Sequence, residues 1–252
     1  MTSVLLIYAY FNPPKNRSIF RFPPLGLCYV AASLREAGYN VDIIDCTFMK
    51  RDDALKRARS TGAEVVGIYS MMTMREESIT FARHLRDRCD LLIAGGPLPS
   101  CDPLPFMRDF DVVVRGEGEQ TMIELLRAQE RGLDFDAISG VVCRKGKNRS
   151  ISVKGGNTDD MVFTNQREHE KNLDSVAFPA RDLLPNEKYI EYGKRRFGYA
   201  VSAVITTRGC PFRCEFCSNA VFGISYRERS PANVVDEVEQ VLSLGYDRIH
   251  RR

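Results

Sequence analysis

The sequence predicts an α/β protein: a doubly wound, five-stranded parallel sheet, followed by a connecting segment and then by one βα unit and the start of a second. Two observations carry the first part. Short apolar runs alternate with segments of helical periodicity, and parallel neighbours need such crossovers while both faces of their sheet need covering. The runs are continuous rather than alternating, as in strands buried on both faces. A third observation sets the second part apart, namely three cysteines gathered as Cys210, Cys214 and Cys217 directly after the apolar run Tyr199 to Thr207.

Val4 to Tyr8 is the first strand, followed by a loop containing Asn12-Pro13-Pro14. Pro23-Pro24 opens a helix with Leu27, Ala31 and Leu34 at helical spacing, and Gly38 stops it. The second strand, Val41 to Asp45, leads to a charged helix from Asp52 to about Ser60. Val65 to Tyr69 is the third strand; Ser70-Met71-Met72 and a helix over roughly Glu76 to Arg88 follow, with Ile79, Phe81, Ala82 and Leu85 as its packing face. Leu91 to Ala94 is the fourth strand and ends in Gly95-Gly96-Pro97. The fifth, Val112 to Val114, ends in Arg115-Gly116-Glu117-Gly118-Glu119, and a helix from Gln120 to about Arg127 closes the unit.

Ligands of such sheets sit at the carboxyl ends of the strands. Here those ends carry Ser70, Gly95, Gly96, Gly116 and Gly118. Each glycine alone is explained by a tight turn; three successive strand ends of this chemistry favour a large flat ligand spread across the sheet edge.

Composition narrows the classes of function. The 252 residues suit one large or two modest domains, and 44% of them are apolar. A net charge of +3 from 36 basic and 33 acidic residues contains no basic block, so nucleic acid is not the expected partner. Lys194-Arg195-Arg196 is too short to change that and reads as a solvated face. The run Val4 to Phe11 is too short to span a bilayer and has no positive segment ahead of it, so a cytoplasmic, reducing setting is expected. There the eight cysteines are not a disulfide framework. The scattered Cys28, Cys46, Cys89, Cys101 and Cys143 read as buried structural thiols.

From Ser139 the pattern changes. Val141-Val142-Cys143 and Ile151-Ser152-Val153 flank a glycine turn and read as a β-hairpin, Gly155 to Asn172 as a polar surface linker. Beyond the strand at Tyr199 to Thr207, the cysteines stand at C-x3-C-x2-C spacing. Thiolates suit soft iron-sulfur centres, and three in one short loop converge without ordering distant segments. Four irons and three cysteines leave one iron open. The alternative is a structural zinc, which normally takes four ligands in C-x2-C pairs. Arg208 and Arg213, beside the cluster, read as solvated loop residues. Ser230-Pro231 caps a helix carrying Val234, Val235, Val238, Val241 and Leu242, stopped by Gly245, and Tyr246 to His250 begins a further strand.

Two resemblances follow from these residues. Pro24-Leu25-Gly26-Leu27, Ser70-Met71-Met72, Gly95-Gly96-Pro97 and Arg115-Gly116-Glu117-Gly118-Glu119 together resemble the flavodoxin- or Rossmann-like cobalamin-binding domain found ahead of many radical S-adenosylmethionine (SAM) enzymes. The cysteine spacing, with Phe216 before the last cysteine, resembles the radical SAM signature, and Phe178 to Pro185 resembles the connector before that domain, though it also reads as an ordinary proline-rich linker. The resemblance implies cobalamin contacts from Pro24, Ser70, Met71, Gly95, Gly96, Pro97, Gly116 and Glu117. It implies a 4Fe-4S cluster on Cys210, Cys214 and Cys217, with S-adenosylmethionine on the open iron and Phe216 near its adenine.

The family's D-x-H-x-x-G loop is absent between Ala9 and Pro24, and the three histidines are His84, His169 and His250. Cobalt is therefore expected to lack a protein histidine ligand. The expected division is 1–138 for the cobalamin domain, 139–198 for hairpin and linker, and 199–252 for the start of an incomplete radical SAM (β/α) partial barrel. The expected activity is methyl transfer to an unactivated carbon of a small-molecule substrate, through a 5'-deoxyadenosyl radical and methylcobalamin, with flavodoxin or ferredoxin as electron donor. The alternatives are a radical cyclase or rearrangement enzyme with the same domains, or a cobalamin-binding module without catalysis. The family's partial barrel has about six units, so the chain is expected to be truncated and inactive alone.

Overall fold

The computed structural model describes residues 2–11, 21–145 and 160–251. Five strands run parallel in the order β2-β1-β3-β4-β5: β1 (Ser3–Tyr8), β2 (Asn40–Asp45), β3 (Val65–Tyr69), β4 (Leu91–Gly95) and β5 (Val112–Val114). This is the doubly wound order the alternation predicts, with the carboxyl ends of β1 and β3 side by side where the winding direction reverses.

The period of two sorts the strand residues cleanly between the sheet's faces. Val4, Leu6, Ile43, Val65 and Ile93 pack under α1 (Leu25–Glu36) and α5 (Glu119–Glu130). Leu5, Ile7, Ile44, Val66 and Leu92 pack under α2 (Arg51–Ser60) and α3 (Arg75–Leu85). The helix expected over Glu76 to Arg88 thus starts one residue earlier and stops at Leu85, and a short α4 (Pro97–Cys101) follows β4.

The sheet does not end at five strands. β6 (Val141–Arg144) pairs antiparallel with β5, and β7 (Met161–Phe163) pairs antiparallel with β6, making seven strands. The polar segment expected as linker from Gly155 therefore contributes a strand, and the sheet crosses the expected boundary at residue 138. The hairpin strand expected at Ile151 to Val153 lies outside the described residues. β7 is three apolar residues set in a polar stretch, which hides it in the sequence.

After β7 the chain returns across α1. The amide of Ala180 donates to the carbonyl of Cys28, and Arg35 pairs with Asp182. α6 (Asn186–Phe197), unassigned from sequence, ends in exposed Lys194-Arg195-Arg196 and stops at Gly198 in the left-handed region, φ 81°. The expected strand Tyr199 to Thr207 is two pieces, β8 (Val201–Val204) and β9 (Thr207–Arg208). β9 pairs antiparallel with β10 (Arg227–Glu228), so the cysteine loop stands on a two-stranded stem. α7 (Pro231–Ser243) has the expected cap: Ser230 accepts from the Asn233 amide and Pro231 occupies the first turn. β11 (Arg248–Arg251) then lies parallel to β8, completing one βα crossover.

Candidate functional site

A cavity of about 580 Å³ opens where the carboxyl ends of the parallel strands meet the stem of the cysteine loop. Its floor comes from the sheet: Tyr8, Tyr69, Met71, Gly95, Gly96, Pro97, Gly116 and Glu117, with Pro24 beside them from the start of α1. Its roof is Ile205, Arg208, Val221 and Phe222. The expected contacts Pro24, Met71, Gly95, Gly96, Pro97, Gly116 and Glu117 are thus brought together. The rings of Tyr8 and Tyr69, with centroids 5.5 Å apart and planes tilted by 48°, add an aromatic surface that the sequence reading passed over as strand ends.

Ser70 lies just behind the wall, fully buried, and its hydroxyl has no hydrogen-bond partner. A buried orphan hydroxyl costs stability, and this one stands directly behind the cavity wall formed by its neighbours Tyr69 and Met71. Its backbone is held tightly, the amide donating to the Gly95 carbonyl at 2.8 Å. Gly96, at φ 105°, could not carry a side chain there: a Cβ would come within 2.7 Å of the Ser70 carbonyl oxygen. The glycine-walled cavity and the orphan hydroxyl fit a large ligand with polar edges such as cobalamin.

The histidines stand elsewhere. His84 is in α3, His169 places its Nε2 3.2 Å from the Val221 carbonyl oxygen beneath the cysteine loop, and the His250 ring lies 6.1 Å from Phe22.

The cysteine loop is the most open part of the site. Cys214 and Cys217 are exposed, Cys210 is half-buried, and all three are free thiols. The Cys217 amide donates to the Cys214 carbonyl and the Cys210 amide to the Gly223 carbonyl, closing the loop at both ends. Among the described residues, no three His, Cys, Asp or Glu side chains are arranged to hold a metal ion, so the thiols lie on one loop without converging on one point. As a donor set, three free thiols on one loop suit a soft iron-sulfur centre. Phe216, at the loop's tip, is 93% exposed.

Two expectations are corrected. Arg208 is not solvated: only 4% exposed, it pairs with Glu119 and Glu117 and lies over the rings of Tyr29 and Phe222. Of the scattered cysteines, Cys28, Cys46 and Cys143 are buried as expected, but Cys89 is half-buried and Cys101 exposed, with its Sγ 3.0 Å from Ser218 Oγ beside the cysteine loop. Burial pushes the Cys89 thiol up to about 11. Sequence reading also missed Glu237, fully buried between Arg181 and Arg229.

The fold and site together define a B12-binding domain joined to a radical SAM segment. Residues 17–126 match the family profile of the B12 binding domain and residues 204–250 that of the radical SAM superfamily, and the chain belongs to the proteins that combine the two. It is 32% identical over 240 residues to an uncharacterized methyltransferase of Pyrococcus horikoshii, covering 90% of this chain and 48% of that one. It is 26% identical to the anaerobic magnesium-protoporphyrin IX monomethyl ester cyclase of Rubrivivax gelatinosus, covering 94% of this chain and 42% of that one. The radical S-adenosylmethionine methyltransferase TsrM of Kitasatospora setae, solved with tryptophan substrate and a SAM analogue, shares the fold over the whole chain: TM-score 0.74, 20% identity, 47% of that chain. The chain therefore spans about half the length of the curated relatives it matches, or less.

Proposed function

We propose that this chain carries the cofactor-binding half of a cobalamin-dependent radical SAM methyltransferase acting on a small molecule. The observation that carries the reading is the cavity itself: glycine-lined strand ends with an orphan serine hydroxyl below, the stem of a three-cysteine loop above.

When bound, the cluster and S-adenosylmethionine supply a one-electron carbon radical, and cobalamin supplies a methyl group for an unactivated carbon. The chain's residues position and enclose. Gly95, Gly96 and Gly116 let backbone approach the cobalamin edge, Pro24, Met71, Pro97 and Glu117 border it, and Ser70 offers its hydroxyl. Cys210, Cys214 and Cys217 are the cluster ligands, and exposed Phe216 is free to lie against the adenine. Ile205, Val221 and Phe222 supply the apolar part of the roof, beside the paired Arg208, and help to exclude water there. The electron donor is a flavodoxin- or ferredoxin-like protein. A cytoplasmic setting fits the reading; among the described residues no helix is long and apolar enough to cross a membrane. We also place the domain limit after β7 rather than at residue 138, with the radical SAM unit starting at 199.

Anaerobic reconstitution tests the site. About four irons and four sulfides per chain and a cobalamin absorption band are expected; one zinc without sulfide overturns the cluster assignment. Methyl-labelled S-adenosylmethionine, used with the full-length parent, tests the reaction: label in product supports methyl transfer. A modified product without label supports the cyclase reading, which the resemblance to the magnesium-protoporphyrin ester cyclase favours.

A further inference from the structure

Arg208 of β9 and Arg227 of β10 are direct partners across the stem of the cysteine loop. Like charges facing each other in a β-pair repel, and burial removes the water that would screen them. Both guanidiniums are nonetheless buried. Two carboxylates, Glu117 in the loop beyond β5 and Glu119 at the start of α5, resolve the conflict. Glu117 takes Arg227 on both oxygens, at 2.6 and 3.2 Å, and its Oε2 also lies 3.5 Å from Arg208. Glu119 accepts from Arg208 at 2.7 Å and stands in the first turn of α5, where the helix dipole favours a negative charge.

The arginines are further fixed by neighbours. Arg227 donates to the carbonyls of Glu170 and Phe222, at 2.8 and 3.1 Å. Arg208 stacks between Tyr29 of α1 and Phe222 of the roof. The carboxylate of Glu117 is thus committed to arginines, although the residue lines the cavity.

We propose that Glu117 and Glu119 are positioning residues: a two-carboxylate clasp that grips the stem of the cysteine loop through Arg208 and Arg227 and so sets where the loop stands over the cavity. The stem can dock only where two negative charges meet its paired arginines, and the loop beyond β5 is that place. This rests on the reading of the cavity and the cysteines as cofactor sites, whose separation the clasp then fixes.

The test is E117Q/E119Q in the reconstituted chain, with two readouts. Amide hydrogen exchange needs no cofactor: segment 205–229 is expected to exchange at least about tenfold faster while β1 to β4 stay unchanged. Unchanged exchange in that segment overturns the clasp, and a rise across the whole sheet shows a general folding role and overturns it as well. The second readout is the magnetic coupling between reduced cluster and cob(II)alamin, which reports their distance. In those variant molecules that hold both cofactors the coupling is expected to be weakened or broadened; full coupling identical to wild type overturns the proposal. Failure of the wild-type chain to take up cluster or cobalamin counts against the cofactor reading instead, and the exchange result still decides the clasp.

Discussion

Glu237 offers the sharpest perturbation of the joint between the two units. Its carboxylate is wholly buried in α7, accepting from Arg181 of the connector and from Arg229, with the Tyr29 hydroxyl of α1 at 3.5 Å. Arg181 also donates to the Ala203 carbonyl at 2.8 Å and Arg229 to that of Ile205 at 3.0 Å. E237A therefore leaves two buried guanidiniums without a carboxylate, Arg181 on a backbone carbonyl and Arg229 on backbone carbonyls and the Asn233 side chain. Breaking a buried pair costs roughly 3–5 kcal/mol because an uncompensated charge remains. In a chain of this size each kcal/mol moves the midpoint by about 2–4 °C, so a fall of roughly 6–20 °C is expected. Urea and thermal unfolding of wild type, E237A and the apolar triple variant R181M/R229M/E237L check this. The triple variant should recover most of the loss, since removing all the charges removes the penalty. A loss below about 1 kcal/mol in E237A would refute the claim that this carboxylate neutralises its neighbours.

Three other substitutions separate folding from cofactor handling. S70A removes a hydroxyl with no internal partner; unfolding should be unchanged or slightly more favourable to the native state, while cobalamin affinity, read by absorbance titration, falls about tenfold. G209A places a Cβ 2.0 Å from the Ser225 carbonyl oxygen at a residue with φ 81°; iron and sulfide content after reconstitution should fall steeply while the far-ultraviolet dichroism stays native. Burial raises the Asp45 carboxyl above the ordinary carboxylate value, against hydrogen bonds from Thr47 and Tyr189 that lower it. Its contribution to stability is complete below the unfolded-state value of about 4 and is lost as pH rises through the higher folded value. Urea midpoints of wild type should decline across that window, and those of D45N should not.

Much of this architecture was legible because it is written in local pattern. Val4 to Tyr8 and Val65 to Tyr69 are continuous apolar runs, and Ser230-Pro231 is a helix start by its own chemistry. The glycines after β4 and β5 pointed to the cavity, and the cysteine spacing to the loop borne on the stem that roofs it. What escaped lay in partnerships across long stretches of chain. Glu117 and Arg227 are 110 residues apart, and Arg181 and Glu237 are 56 apart. No periodicity announces such pairs, and an arginine read alone is a solvated arginine, which is why Arg208 was misplaced. β7 escaped because its short apolar run, Met161 to Phe163, is set in a polar stretch at the exposed edge of the sheet.

The seating of the connector bears on how a large ligand enters. Prising the two units apart would pull Arg181 from Glu237, Arg208 from Glu119 and Arg227 from Glu117, all in buried surroundings. Residues Pro211 to Ser218 of the cysteine loop are mostly exposed and carry none of these pairs. Displacement of that loop alone leaves every one of these buried charges in place, so the loop is the part of the joint that can move without separating an ion pair.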